Sequence, residues 1–104
     1  MDTPIDALLS ALAEPTRLRA LQIVWNDDEH CVCELMARLG VSQSRMSRHM
    51  ARLKAVGLVI DRRDAQWVRY RRNPDLPRAW AAVVEPVLAA LPAQAVARPH
   101  KKVA

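Results

Sequence analysis

The chain has 104 residues, a formal net charge of +5, and 51% hydrophobic residues. That length suits one domain with a modest core, and the apolar share excludes a disordered chain. No apolar run approaches the roughly 18 residues that span a bilayer, and the first residues lack a basic-then-apolar leader pattern. A soluble cytoplasmic protein is expected, with no membrane partner.

Ile5, Leu8, Leu9 and Leu12 recur at helical spacing and predict a short amphipathic first helix. Glu14-Pro15-Thr16 breaks it, and Pro15 suits the first turn of a second helix carrying Leu18, Leu21, Ile23, Val24 and Trp25. Both cysteines fall in His30-Cys31-Val32-Cys33-Glu34-Leu35, which opens a third helix over about 31–39, closed by Gly40. Ser42 caps a fourth helix over about 43–56, closed by Gly57. Helix, short glycine-bearing turn and helix make a helix-turn-helix.

After Gly57 the period changes. Residues 58–63 and 67–72 are β-branched, aromatic and basic, and Asp64-Ala65-Gln66 joins them as a hairpin, or wing. Leu76, Trp80, Val83, Val84, Val87, Leu88 and Leu91 predict a last helix over about 75–91, with a kink or early end at Pro86. The fold class is mainly α with a small β-hairpin wing (α+β), a winged helix-turn-helix. Residues 1–92 form the DNA-binding and dimerisation domain, and 93–104 read as a disordered basic tail.

The charge is unevenly spread. Residues 42–72 hold nine Arg/Lys against Asp61 and Asp64, whereas the rest of the chain is slightly acidic. A basic segment on an acidic remainder is the electrostatic footprint of a polyanion surface, here double-stranded DNA. In the fourth helix Met46, His49, Met50 and Leu53 share an inward face, which leaves Gln43, Ser44, Ser47, Arg48 and Arg52 largely outward. Gln43 can pair with adenine, Ser44 and Ser47 with base edges or phosphate, and Arg48 with guanine or phosphate. Arg45 and Arg52 suit phosphate contacts. Arg62, Arg63 and Arg69 of the wing should meet the DNA backbone or the minor groove. The apolar stripes of the first and last helices exceed what so small a domain covers, so a homodimer through Leu8, Leu12, Trp80, Val84, Val87 and Leu91 is expected.

Two cysteines one residue apart form a strained ring, so free thiols are expected in a reducing cytosol. A thiol pair is a soft-ligand site for metals and metalloids, or a redox-active one. Residues two apart on an α-helix are about 200° apart around its axis, so one ion held by both should unwind the first turn of the third helix. An enzyme is not expected: His30 beside Cys31 is the only nucleophile–base pair, and sequence neighbours rarely point together.

Cys31-Val32-Cys33-Glu34-Leu35, Leu39-Gly40-Val41-Ser42-Gln43-Ser44, Ser47-Arg48-His49 and Gly57-Leu58-Val59 resemble the ArsR/SmtB family of metal-responsive bacterial repressors. The resemblance covers about residues 5–91. It implies a homodimeric winged-helix repressor that leaves its operator when an inducer binds, without a required cofactor. In the arsenic-sensing members the Cys-Val-Cys pair binds trivalent arsenic or antimony, which would make Cys31 and Cys33 the ligands here. Many such relatives carry a third cysteine where this chain has Met36, so His30, solvent or a small thiol is the candidate third ligand. Cysteines of an N-terminal arm, used by cadmium/lead sensors, are lacking, and so are the histidines of the zinc site on the last helix. Thiol oxidation, reactive sulfur and a cadmium-type soft metal remain alternative signals for the same repressor.

Overall fold

The computed structural model describes residues 4–92; the tail expected at 93–104 lies outside them. The break between the first two helices follows from local chemistry. Helix α1 is Ile5–Leu12 and α2 is Pro15–Val24. Between them Glu14 is extended (φ −151°, ψ 125°), and its carboxylate accepts the Arg17 backbone N–H at 2.8 Å. Pro15 sits where its missing N–H costs nothing.

Helix α3 (Val32–Leu39) ends at Gly40, whose φ of 66° lets its N–H return to the Met36 carbonyl at 2.8 Å. Helix α4 (Gln43–Ala55) starts under Ser42, whose Oγ accepts the Arg45 N–H at 3.3 Å. Leu35, Met46, Met50 and Leu53 are fully buried between α3, α4 and α2, together with Leu21 and Leu58. Each such side chain contributes roughly 1.5–3 kcal/mol relative to exposure. Helix α5 (Arg78–Ala89) runs through Pro86 and stops at Ala89, shorter than its apolar pattern suggests. It inserts Val84 and Leu88 into the same core.

The sheet differs from the expected two-stranded wing. Strands β2 (Val59–Asp64) and β3 (Trp67–Arg72) form the hairpin, with a two-residue turn at Ala65-Gln66. A third strand, β1 (His30–Cys31), pairs antiparallel with the other edge of β3, giving the order β1-β3-β2. Cys31 lies opposite Arg69, and Arg69 lies opposite Arg62. These three residues therefore form one transverse row on one face of the sheet.

Half of the expected dimer surface is internal. Leu8 and Val84 are fully buried and Leu12 is 5% exposed within one chain, so they belong to the monomer core. Their periodicity is the same whether a stripe covers its own core or a partner. Trp80, Val87 and Leu91 remain half-buried, and on α1 the exposed apolar residues are Ile5 and Leu9.

Candidate DNA-reading face and thiol site

The polar face of α4 is open as its sequence spacing predicts. Gln43, Ser44, Arg45, Arg48 and Arg52 are exposed and Ser47 is half-buried, while Met46, Met50 and Leu53 anchor the opposite face. Among the described residues Arg45, Arg48 and Arg52 have no acidic partner. His49 faces the core side, half-buried, with Nδ1 3.2 Å from the Arg17 guanidinium.

The wing is arranged differently. Arg62 makes a two-pronged contact with Glu29, at 2.6 and 2.9 Å. Glu29 is held below the usual carboxylate range chiefly by this hydrogen bond, and Arg62 is raised by the same contact. Arg69 donates to Asp64 at 2.7 Å. Arg72 lies 4.4 Å from the Trp25 ring centroid and near Glu85 and Asp27. Of the three wing cations expected to meet DNA, only Arg63 is exposed without an ion-pair partner among the described residues. Tyr70 packs inward, its hydroxyl pushed up by burial, whereas Trp67 stays exposed at the wing tip.

The thiol site corrects the helical argument. Cys31 is the N-cap of α3 and part of β1, with extended backbone at φ −66° and ψ 144°; the helix begins at Val32. The rotation of about 200° that separates helical neighbours two apart therefore does not apply. The Cα atoms of Cys31 and Cys33 are 5.1 Å apart, and the two sulfurs are joined as a disulfide rather than free. Cys31 Sγ also accepts the Cys33 backbone N–H at 3.2 Å. Two sulfurs thus converge with the first turn of α3 intact. Cys31 is buried and Cys33 exposed, so the pair is reached from the Cys33 side.

His30 does not complete a ligand set. Its Nδ1 lies 3.0 Å from both carboxylate oxygens of Glu34, and its Nε2 lies 3.0 Å from Asn26 Oδ1. As neighbours on an extended strand, His30 and Cys31 leave β1 on opposite faces. Glu34 in turn accepts from Arg38 at 2.9 Å. The residue fastens β1 to α3, and sequence adjacency to Cys31 concealed this. Among the described residues no group of three His, Cys, Asp or Glu side chains is placed to hold a metal ion.

Sequence spacing missed Glu29 and Arg17, both of which contact predicted DNA-reading elements. No local pattern marks either, because their partners are 33 and 32 residues away.

Comparison with known proteins agrees with this geometry. Residues 14–61 match the model of the bacterial regulatory protein, arsR family. The arsenic resistance transcriptional regulator ArsR2 of Pseudomonas putida is 49% identical over 77 residues, covering 74% of this chain and 66% of that protein. The chain spans only 63–66% of the length of the arsenic-resistance regulators it matches. Reduced HlyU from Vibrio cholerae superposes with a TM-score of 0.68 at 37% identity, over 80% of this chain and 83% of that one. The homodimeric winged helix-turn-helix DNA-binding domain Mb0332 of Mycobacterium bovis gives 0.66 at 26% identity, over 94% and 82%. No helix of the described residues is long and apolar enough to cross a membrane. Fold and relatives are those of DNA-binding transcriptional regulators and not of enzymes, and the chain belongs to the ArsR family.

Proposed function

We propose that the protein is a metalloid-responsive transcriptional repressor. It binds operator DNA as a homodimer through α4 and the wing, and releases it when trivalent arsenic or antimony is held by Cys31 and Cys33. The single observation that carries this reading is the convergence of both sulfurs where β1, a strand of the wing sheet, meets the first turn of α3. Its chemical fit is partial: the chain offers two sulfurs, and solvent or a small cytosolic thiol supplies the third position. Soft trivalent ions accept such thiolate donors, which zinc-type oxygen and nitrogen sites do not offer.

The coupling runs through this chain's own backbone. Cys31 is paired with Arg69, and Arg69 with Arg62, so a change at the sulfurs is transmitted along one row to the wing cations. Glu29, two residues before Cys31, holds Arg62 directly. On the other side Cys33 sits in the first turn of α3, which packs through Leu35 against α4. Occupied sulfurs bias both DNA-contacting elements at once, which is the differential free energy that allostery requires.

The proposed dimer contact uses the apolar residues left accessible on α1 (Ile5, Leu9), on α5 (Trp80, Val87) and just after it (Leu91). The homodimeric Mb0332 domain supports a two-fold arrangement.

The test is a titration of the reduced protein bound to operator duplex with arsenite, antimonite, cadmium and peroxide in turn. Arsenite should release DNA about 5- to 150-fold, the range of ordinary allosteric coupling. Cys31→Ser and Cys33→Ser should abolish the effect. Retention of DNA under saturating arsenite would overturn the reading. A second reading, a thiol-oxidant sensor, is favoured by the sulfur–sulfur bond itself. In that case peroxide takes two electrons and two protons from the thiols, and peroxide alone releases the DNA.

A further inference from the structure

Arg17 is a charged side chain only 9% exposed. Its Nε–H donates to the Ala11 carbonyl at 2.7 Å, and its Nη2 reaches the Ser10 carbonyl at 3.5 Å. Its Nη1 lies 3.2 Å from His49 Nδ1. A guanidinium carries donors only, so Nδ1 must be the acceptor. Burial holds the His49 imidazole below the ordinary histidine value; Glu14 opposes this, and Arg17, Arg45 and Arg48 reinforce it. The ring is therefore neutral at neutral pH, and with Nδ1 accepting, its proton sits on Nε2.

That Nε2–H has no protein partner among the described residues. The ring lines an open cavity of about 460 Å³ with Arg17, Arg48, Ala51 and Arg52. Arg48 and Arg52 are one helical turn apart, exposed, and without acidic partners among the described residues. No carboxylate lines the cavity: Glu14, 3.9 Å from His49 Nδ1, is not among its lining residues. A concave site lined only by donors and apolar carbon is complementary to an anion. Its position on the recognition helix selects the anion.

We propose that this cavity seats one backbone phosphodiester of the bound duplex, with His49 Nε2–H, Arg48 and Arg52 as donors. Arg17 is the positioning residue that fixes the His49 tautomer. The inference rests on the DNA-binding part of the proposed function and needs no metalloid. It changes His49 from a buried structural residue into a contact that sets the register of α4 on the duplex.

The full chain is titrated against a short labelled duplex while its melting midpoint is followed. His49→Asn retains an acceptor near Nδ1 for Arg17 but lacks the Nε2 donor. It should bind about tenfold more weakly with an unchanged midpoint. His49→Gln, whose amide reaches the Nε2 position, should recover most of the affinity. In ¹⁵N spectra of the wild type the His49 Nε2–H signal should shift on adding duplex and stay put in inorganic phosphate. Arg17→Lys should alter the ring-nitrogen pattern that reports the tautomer.

Duplex binding that is equal in wild type and a folded His49→Asn overturns the seat while leaving the repressor reading intact. An equal shift in inorganic phosphate makes this a free-anion site and overturns the duplex assignment. Should His49→Asn unfold, the wild-type spectra decide, and an unmoved Nε2–H rejects the seat. Wild-type protein that binds no duplex rejects both readings.

Discussion

Helix α4 carries three arginines and the wing hairpin five, yet among the described residues all three of α4 lack acidic partners, while Arg62, Arg69 and Arg72 of the wing are engaged. Arg45, Arg48 and Arg52 project from α4 without acidic partners among the described residues, whereas Arg62 and Arg69 are held by Glu29 and Asp64. A free cation gives its full attraction to a phosphate, because docking releases counterions and breaks nothing. A paired cation must first give up its carboxylate, so its net gain on docking is smaller. Under the proposed function this difference divides the labour: α4 would supply affinity and base readout, and the wing would be where affinity is adjusted. Glu29 makes that adjustment possible beside the thiols, since it precedes the strand that carries Cys31.

The sharpest way to break this division is to remove one cation from each side. Arg48→Ala should weaken duplex binding by about 5- to 150-fold, the size of a base contact of about 1–3 kcal/mol. Arg62→Ala should change it by less than about twofold, because the lost phosphate attraction is offset by the carboxylate no longer displaced. Affinities from anisotropy at one fixed salt concentration decide. Equal losses at the two positions would show that Glu29 does not restrain Arg62 on the DNA.

How much of this was legible beforehand follows from how local each determinant is. The recognition helix was readable because Ser42, the Met46/Met50/Leu53 stripe and Gly57 act within one turn of their neighbours. The wing strands were readable from period, but β1 was not: two residues, His30 and Cys31, have no period to show. Without β1, Cys31 falls inside the helical period and its sulfur turns away from that of Cys33, whereas the actual N-cap is extended. The half of the dimer stripe that is internal was hidden for a different reason. Leu8, Leu12 and Val84 have the spacing of an amphipathic helix, and spacing cannot say whether the covering surface is the chain's own. The ion pairs that engage the wing are long-range in sequence, and composition registers their charges without their partners.

A smaller effect tests the restraint itself. Glu29→Gln removes the charge that holds Arg62 and keeps the side chain's size. Duplex binding should tighten by about threefold, with the salt dependence of log K steeper by up to about one unit, as one more cation becomes available to phosphate. Glu29 is exposed, so stability should hardly move. In the same variant, arsenite should release DNA less completely, because one of the two links between the thiol strand and the wing is gone. An unchanged salt slope would mean that Arg62 already reaches the phosphate in the wild-type complex, and the contrast between the two regions would then be confined to the free protein.

The smallest effect concerns the turn that shapes the wing. Ala65 sits at φ 58°, in the left-handed region that costs a non-glycine residue roughly 1–2 kcal/mol. Glycine there relieves that cost but loses about 0.5–1 kcal/mol to unfolded-chain entropy. Ala65→Gly should therefore raise stability by only about 0.5 kcal/mol, read as a small rise in the melting midpoint. Duplex affinity should not change, since the turn orients Trp67 and Arg63 without itself carrying a charge. A shift in affinity with no shift in melting would place the turn backbone at the DNA. The wing would then act as a contact in its own right, with its engaged arginines only part of what it brings to the duplex.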